Sequence, residues 1–220
     1  METDMEERHS VGLPDTIRTF TKELWDHVLA SDISISELSS SVPQLTYLME
    51  LVQRSEVRTV IEIGFNVGFS SHAFLSASDN VQVVSFDLPE NKAALIGKEF
   101  IDQRFPGRHQ LIVEDSRTAL PKYIAEHGES LFDLAFVDGG HEYAAVKSDI
   151  DYCRVLCRPG SLIVVDDLTP WVPWGTGPTR AWTEVLETGD IKQEEIYRDG
   201  ILADRIEGPA DRVWALGRVR

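Results

Sequence analysis

Residues 59–68 read Thr-Val-Ile-Glu-Ile-Gly-Phe-Asn-Val-Gly, and residues 69–75 continue as Phe-Ser-Ser-His-Ala-Phe-Leu. The β-branched run predicts a strand, the later segment predicts a helix, and a glycine turn separates them. Such a turn lets backbone approach a nucleotide-like ligand, because glycine lacks a Cβ and tolerates positive φ. A dinucleotide fingerprint would place glycines at 64, 66 and 69, but this chain has Asn66 and Phe69. The segment therefore indicates another nucleotide-like ligand or a purely structural turn.

The composition is that of an acidic globular protein. The 220 residues include 21 Lys and Arg against 37 Asp and Glu, giving a formal net charge of −16. This length fits one α/β domain with a small helical cap. The negative charge and the lack of a basic stripe argue against a nucleic-acid partner.

The sequence predicts a cytoplasmic location without a membrane partner. The first ten residues are charged and polar, and no apolar run approaches the ~20 residues of a membrane helix. Cys153 and Cys157 lie four residues apart in a segment that reads as helical. This favours buried free thiols over a redox or metal pair.

Strand and helix patterns alternate along most of the chain. The strand candidates are 59–63, 81–86, 110–113, 132–137 and 161–165, with helical patterns at 69–77, 90–104, 117–127 and 142–157. After a loop at 168–178 come a helix near 179–188 and strand candidates at 192–198 and 211–218. This rhythm predicts an α/β fold with a doubly wound, mostly parallel sheet of seven strands.

Two further helices precede the first strand. Residues 14–30 form an amphipathic pattern, and a second helical pattern covers 43–55. We expect both to pack as an N-terminal cap without entering the sheet, which divides the chain into a helical cap, 1–55, and a ligand-binding domain, 56–220. The apolar faces of these helices make a homodimer conceivable.

Acidic residues follow five successive strand candidates, where ligands bind in a doubly wound sheet. They are Glu62, Asp87, the Glu114-Asp115-Ser116 segment, Asp138 and the Asp166-Asp167 pair. Asp87, 23 residues after Gly64, is positioned to accept the hydroxyls of a ribose. Asp115 and Ser116 are placed either to receive an adenine amino group or to cap the next helix. An unpaired carboxylate after a buried strand is costly, so the series indicates ligands, cations or donors there.

The last two acidic strand ends suggest a metal site. Asp138, Asp166 and Asp167 offer the hard oxygen ligands that suit Mg²⁺. Alternatively, Asp166 or Asp167 caps the following turn and Asp138 contacts only the cofactor. His141 reaches the same mouth and is either a general base for a hydroxyl or a hydrogen-bonded structural residue.

The loop after the acidic pair contains Trp171 and Trp174 among prolines and glycines. Two loop tryptophans beside a strand-end site suggest a wall for an apolar or aromatic substrate, although packing against the cap helices is an equal alternative. Arg180 begins the next helix and is a further candidate for the substrate pocket.

With these motifs, the chain resembles class I S-adenosylmethionine (SAM) dependent methyltransferases. The turn at 64–68 is similar to the G-x-N/G-x-G turn of SAM enzymes. Residues 136–143, Phe-Val-Asp-Gly-Gly-His-Glu-Tyr, resemble the Phe-Val-Asp-Gly-x-His-x-Tyr segment of small O-methyltransferases. That group is similar to catechol O-methyltransferase and to the sugar O-methyltransferases of macrolide pathways. The resemblance covers roughly residues 45–185 and implies a Rossmann-like methyltransferase fold in the domain at 56–220.

The resemblance also implies roles for individual residues. The implied contacts with SAM, from its methionine end to its adenine, are Glu62, Gly64, Asn66 and Gly68, then Asp87, then Asp115 and Ser116. Asp138 is implied as a catalytic and cofactor-binding residue and, with Asp166 and Asp167, as a ligand of Mg²⁺ in metal-dependent members. His141 stands where catechol O-methyltransferase has its lysine base, so it is the implied catalytic base.

The predicted function is SAM-dependent, Mg²⁺-assisted methyl transfer to a hydroxyl of a small molecule. A natural product, sugar or phenol is the implied acceptor, with secondary metabolism as the setting. Alternatives are a metal-independent methyltransferase acting on a carboxylate or amine, and a non-catalytic SAM-binding protein. A nicotinamide dehydrogenase is a further alternative, but the missing third glycine counts against it.

Overall fold

The computed structural model describes residues 15–31, 40–55 and 57–220, which form seven α-helices and eight strands. The helices are α1 (Asp15–Leu29), α2 (Val42–Arg54), α3 (Phe69–Ala77), α4 (Ala93–Arg104), α5 (Ser116–His127), α6 (Tyr143–Leu156) and α7 (Thr176–Thr188). The strands are β1 (Thr59–Ile63), β2 (Gln82–Asp87), β3 (His109–Val113), β4 (Phe132–Val137), β5 (Cys157–Val165), β6 (Ile191–Arg198), β7 (Ile201–Ala203) and β8 (Val213–Val219). Within the described residues, every helix is too short or too polar to cross a membrane.

All eight strands belong to one sheet, in the order β3-β2-β1-β4-β5-β8-β6-β7. The strands from β3 to β5 in this order are parallel, whereas β8, β6 and β7 join with antiparallel pairing. The predicted doubly wound, mostly parallel sheet is confirmed, but it has eight strands where the sequence predicted seven. The additional strand, β7, has only three residues, too few to display a period-two pattern.

The topology creates a ligand-binding edge between β1 and β4. The chain runs from β1 outward through β2 to β3, then returns to the other side of β1 for β4 and β5. The loops that follow β1 and β4 therefore leave the same edge in different directions, which opens a crevice between them. The Asp138 N–H donates to the Ile63 carbonyl at 2.9 Å, so the two loops begin side by side.

Alternate residues of the central strands pack into cores on opposite faces of the sheet. Ile61 and Ala135 face a core that also contains side chains of α5, α6 and α7. Val60 and Phe136 face a second core, which includes side chains of α2, α3 and α4. This two-sided burial explains why the central strands are almost continuously apolar.

Neither N-terminal helix enters the sheet, as predicted, but α1 packs on other helices, whereas α2 packs both on helices and against the sheet. Phe20 and Leu24 of α1 share a buried cluster with Phe69 and Ala73 of α3. Leu48 and other apolar residues of α2 instead belong to the core against the sheet. The cap and domain boundary at residues 55 and 56 stays a prediction.

The structure corrects the position of one cysteine. The helix predicted over 142–157 ends at Leu156, so Cys157 is the first residue of β5, while Cys153 lies in α6. Both thiols are free and buried, and burial raises the pKa of each. These two residues therefore behave as small apolar side chains of the core.

Candidate active site

The turn after β1 requires glycine at position 64. Gly64 has φ +95°, and a Cβ there would lie 2.0 Å from the carbonyl oxygen of Asp138. Gly68, with φ +91°, begins α3 directly over the Phe65 ring. Asn66 also adopts positive φ, at 51°, which asparagine tolerates better than most residues. Gly64 is therefore needed for two reasons: it adopts the positive φ of the turn, and it allows the loop after β1 to approach the loop after β4 closely.

Asp87, at the end of β2, is anchored by the same turn. Its carboxylate accepts the Asn66 backbone N–H at 2.5 Å, the Leu88 backbone N–H at 2.7 Å and the Asn91 side-chain amide at 3.1 Å. Burial raises the pKa of Asp87, and the two backbone donors oppose that effect. Sequence reasoning missed Asn91, because an asparagine just after a strand end carries no motif.

A cavity of about 830 Å³ lies along the carboxyl ends of the first four strands. Seven of the predicted site residues line it: Gly64, Asn66, Asp87, Asp115, Ser116, Asp138 and His141. This volume is typical of a cofactor site. Residues that are scattered over more than seventy positions of the sequence therefore meet around one space.

Glu62 and Gly68 are not among the lining residues of this cavity. The Glu62 side chain is fully buried and accepts hydrogen bonds from Ser70, from Ser71 at 2.5 Å and from Ser85 at 2.6 Å. Burial raises the pKa of Glu62, and these hydroxyl donors oppose the rise. Glu62 therefore fastens α3 and β2 to β1 behind the turn, where it fixes the position of the turn.

At the far end of the cavity, Asp115 is the N-cap of α5. It accepts the Arg117 backbone N–H at 2.9 Å and forms an ion pair with the Arg117 guanidinium, whose hydrogen bond lowers the pKa of Asp115. The N-cap alternative is therefore the geometry found, although the residue also lines the cavity. Burial raises the pKa of the nearby Asp149 to about 7, a rise that the Ser116 side chain opposes.

Asp149 also lines the cavity and was missed at the sequence level. Its side chain is buried, and its Oδ1 atom has no hydrogen-bond partner within the described part of the chain. The available signal was a carboxylate on the apolar face of α6, next to the buried Ile150 and near Val146 and Cys153.

A second cavity of about 420 Å³ shares Gly64, Asn66, Asp138, Gly139 and His141 with the first. Its other lining residues are Ser40, Phe65, Phe69, Ser70, Asp167, Trp174 and Arg212. Its walls are thus partly aromatic, and its charged groups gather on one side. We refer to the first space as the cofactor cavity, because it holds the residues predicted to contact a cofactor, and to the second as the acceptor cavity, after the role proposed for it below.

Asp138, Asp166 and Asp167 form what we call the aspartate cluster. One oxygen from each carboxylate lies within 4.8 Å of the others. Burial, followed by the charges of Asp166 and Asp167, raises the pKa of Asp138 well above its usual range. Asp166 Oδ1 is buried and has no hydrogen-bond partner among the described residues. A donor set of three convergent carboxylates with an unsatisfied oxygen fits a small divalent cation that prefers oxygen ligands.

Arg212 also contacts the aspartate cluster, and sequence reasoning missed it. Its guanidinium donates to Asp166 and, at 3.1 Å, to the side-chain carbonyl of Gln44 in α2. Gln44 and Arg212 are separated by 168 residues, so no local pattern could indicate this contact.

His141 faces both cavities and is held by the aspartate cluster. Its Nε2 atom lies 2.9 Å from Asp167 Oδ2, and its side chain is 40% exposed. The ring therefore contacts the aspartate cluster and is also partly exposed, and its role as a general base or as a structural residue stays a prediction.

The three predicted substrate-pocket residues occupy different places. Trp174 lines the acceptor cavity, but Trp171 and Arg180 line neither cavity. The Trp171 indole N–H donates to the Ala210 carbonyl at 3.1 Å. Arg180 pairs with Glu184 at 2.8 Å and stacks on the Tyr143 ring at 4.0 Å. The sequence predicted a shared loop but could not predict which way each side chain turns.

Comparisons with known proteins agree with this geometry. Residues 61–168 match a protein-family model described as a methyltransferase domain. No curated protein sequence matches the chain. The matched segment begins within β1 and ends just after the Asp166-Asp167 pair, so it spans the cofactor cavity and the aspartate cluster.

Solved structures share the fold over nearly the whole chain. An O-methyltransferase from Bacillus cereus, in complex with S-adenosylhomocysteine (SAH), is 19% identical in sequence and superposes with a TM-score of 0.73. The match covers 100% of this chain and 98% of the Bacillus cereus chain. TomG from Streptomyces achromogenes, an O-methyltransferase of tomaymycin synthesis in complex with SAM, is 20% identical, with coverage of 89% and 88% and a TM-score of 0.71. CalS11, a TDP-rhamnose 3′-O-methyltransferase of calicheamicin biosynthesis, is 21% identical, with coverage of 96% and 97% and a TM-score of 0.61.

Residues 61–168 of this chain therefore match a methyltransferase domain, and the chain shares its fold with O-methyltransferases whose structures contain SAM or SAH.

Proposed function

We propose that this enzyme transfers the methyl group of SAM to a hydroxyl oxygen of a small molecule, with assistance from Mg²⁺. The observation that carries the proposal is the meeting of the two cavities at Asp138 and His141. A methyl donor in one cavity and an acceptor in the other would face each other there. Holding the two reactants in line can supply roughly 7–11 kcal/mol of the barrier reduction.

The lining of the cofactor cavity supports a specific orientation of SAM. Asp87 would receive the ribose hydroxyls, and the turn at Gly64 and Asn66 would hold the methionine portion. The adenine would lie toward Ser116 and Asp149. This assignment puts the sulfonium methyl at the end of the cofactor cavity that adjoins the acceptor cavity.

The acceptor cavity supports a hydroxylated acceptor with an apolar face. Phe65, Phe69 and Trp174 offer aromatic surface on which a phenol ring or the apolar face of a sugar can pack. CalS11 is described as acting on the 3′ position of TDP-rhamnose, which lends support to a sugar hydroxyl. We propose the sugar, the phenol and other hydroxylated natural products as the acceptor class, and secondary metabolism as the setting.

The aspartate cluster would hold Mg²⁺ through Asp138, Asp166 and Asp167. A divalent cation bound there would stabilise the oxyanion of the acceptor and help to orient it. His141 Nε2 lies 2.9 Å from the Asp167 carboxylate, which favours the proton on that nitrogen, so the lone pair on Nδ1 would take the proton of the acceptor hydroxyl. Trp174 and the two phenylalanines would limit water around the reacting oxygen.

One observation favours a second candidate, a metal-independent methyltransferase. Arg212 already places a positive charge on Asp166, so a cation is present in the acceptor cavity without a metal ion. Such an enzyme would act on acceptors that ionise readily, including carboxylates, and its activity would survive chelation.

The test is SAH formation from SAM, measured against a panel of sugars, phenols, carboxylates and amines, with Mg²⁺ or with EDTA. The proposal expects turnover with hydroxylated acceptors that EDTA abolishes and Mg²⁺ restores. Turnover that persists in EDTA would establish the metal-independent alternative. Calorimetric titration with SAH, using NAD as a control, tests the cofactor separately, and failure of SAH to bind would overturn the cofactor assignment.

A further inference from the structure

Arg212 is an unusual neighbour for a cluster that suits a divalent cation. It precedes β8, and its side chain, 20% exposed, reaches the buried carboxylate of Asp166 at the end of β5. Gln44 accepts from the same guanidinium nitrogen at 3.1 Å. The arginine is therefore held at the cluster from two sides, by the sheet and by α2.

Arg212 offsets only part of the negative charge that the aspartate cluster can carry. Three ionised carboxylates carry three negative charges, of which Arg212 neutralises one. Burial alone would lower the pKa of Arg212, but Asp166, Asp138 and Asp167 outweigh burial and raise it. The guanidinium consequently stays charged, and it binds Oδ2 of the same carboxylate whose Oδ1 lacks a partner.

We propose that Arg212 is the resident counter-cation of the aspartate cluster, which holds Asp166 in place without a metal ion and weakens the binding of a divalent cation. A metal ion and the guanidinium would share Asp166 and repel each other across it. This inference rests on the proposed metal-assisted function and concerns how strongly the chain itself regulates metal occupancy.

The test measures Mn²⁺ binding to the full chain and to Arg212→Gln. The electron paramagnetic resonance signal reports the concentration of Mn²⁺ that stays free. Glutamine keeps a polar side chain at this position but carries no charge. We expect Mn²⁺ to bind Arg212→Gln at least about tenfold more tightly, because one nearby positive charge is removed.

The matched control is Arg218→Gln, which removes the same charge from β8, the strand that Arg212 precedes. Arg218 is 46% exposed and pairs with Glu194, so its loss should leave Mn²⁺ affinity within about twofold of the original chain. Equal Mn²⁺ affinities in the original chain and in Arg212→Gln, or no binding to either, would overturn the proposal.

Thermal unfolding supplies a second readout. In EDTA, Arg212→Gln should unfold at a lower temperature than the original chain, and saturating Mn²⁺ should restore most of that loss because ligand binding stabilises the native state. Arg218→Gln should show no such response. A loss in EDTA that Mn²⁺ does not restore would contradict the proposed role.

If Arg212→Gln does not fold in either buffer, Gln44→Met provides the test. This variant keeps the guanidinium but removes one of the groups that holds it, so Mn²⁺ should bind a few-fold more tightly. Unchanged affinity would overturn the proposal. Failure of the proposed function can be distinguished from failure of this proposal. If no acceptor is methylated, the proposed function fails, but the measured Mn²⁺ affinities are unaffected.

Discussion

Gly64 is where the requirements of the fold and of the cofactor cavity coincide. Its backbone adopts positive φ, and its missing side chain leaves room for the Asp138 carbonyl. At the same point Asn66 gives its N–H to Asp87, so one turn positions the contacts proposed for two parts of SAM. Replacing Gly64 by alanine introduces both backbone strain and steric conflict, and comparison with a glycine that has positive φ but open space distinguishes the two effects.

We expect Gly64→Ala to destabilise the fold and to abolish SAH binding. The new Cβ would have to displace the Asp138 backbone, which costs on the order of 1–3 kcal/mol in addition to the positive-φ strain. Gly128→Ala is the matched control, because Gly128 has φ +90° and open space around its Cβ position. Urea denaturation and calorimetry should show a larger loss for Gly64→Ala than for the control; equal losses would contradict the steric explanation.

A second prediction concerns His141. His141→Ala should bind SAH as tightly as the original chain but lose turnover by roughly 10²–10⁴-fold, the usual contribution of a general base. His127→Ala, an exposed histidine on α5, is the control and should remain active. Initial rates with the best acceptor give the answer, and full activity of His141→Ala would remove the base assignment.

At the scale of elements, the sequence predicted the strands β1 to β5 and the helices between them. The central strands are almost continuously apolar, and an acidic residue lies at or near the carboxyl end of each of the five, so their pattern is strong. The sequence failed where the signal was local and short, as in β7, or where a boundary fell between two apolar residues, as at Cys157. The sequence also did not indicate that α2 packs against the sheet, because an amphipathic helix has the same apolar pattern whether it packs on a sheet or on other helices.

The candidate site was predictable to a similar depth. The strand-end carboxylates and the glycine turn were visible because topology brings strand ends together. Gln44, Asp149 and Arg212 were not, because their roles depend on contacts between distant segments. The directions of the side chains were also not predictable from the sequence. Trp171 and Trp174 lie in the same loop, but only Trp174 points into the acceptor cavity.

The linkage between α3, β1 and β2 through Glu62 can be tested at this scale. Glu62→Ala should lower the free energy of unfolding by about 2–4 kcal/mol, because three buried hydroxyls lose their acceptor. Glu62→Gln, which keeps one acceptor oxygen, should lose less. Glu126→Ala is the exposed control on α5 and should leave the free energy unchanged. Equal losses in the Ala and Gln variants would show that packing, and not hydrogen bonding, sets the effect.

At the scale of the whole molecule, two buried histidines couple the fold to pH. Burial lowers the pKa of His72 and of His109 to about 3, whereas an unfolded histidine titrates near 6.5. The unfolded chain therefore binds more protons below pH 6.5, so stability falls as the pH falls toward the folded-state values. Each histidine costs about 1.4 kcal/mol at pH 5.5 relative to pH 7.5.

His109→Gln should reduce that pH dependence. Glutamine remains neutral, and its amide N–H can donate to the hydroxyls of Ser85 and Ser71, the partners of His109, because the protons of these hydroxyls are donated to Glu62. We expect the difference in unfolding free energy between pH 7.5 and 5.5, from urea denaturation, to shrink by about 1 kcal/mol in the variant. His127→Gln, at an exposed site, is the control. An unchanged difference would show that other groups dominate the acid response.

The placement of β8 has a consequence for how acceptor preference can change over evolution. Strands β6, β7 and β8 pair with one another as a local antiparallel unit, and only β8 joins them to β5. This unit is preceded by the β5 loop and contributes Arg212 to the acceptor cavity, yet none of its residues line the cofactor cavity. Under the proposed function, descendants of this gene that replace Arg212 would change one wall of the space for the methyl acceptor, while every residue that lines the space for the donor is inherited intact.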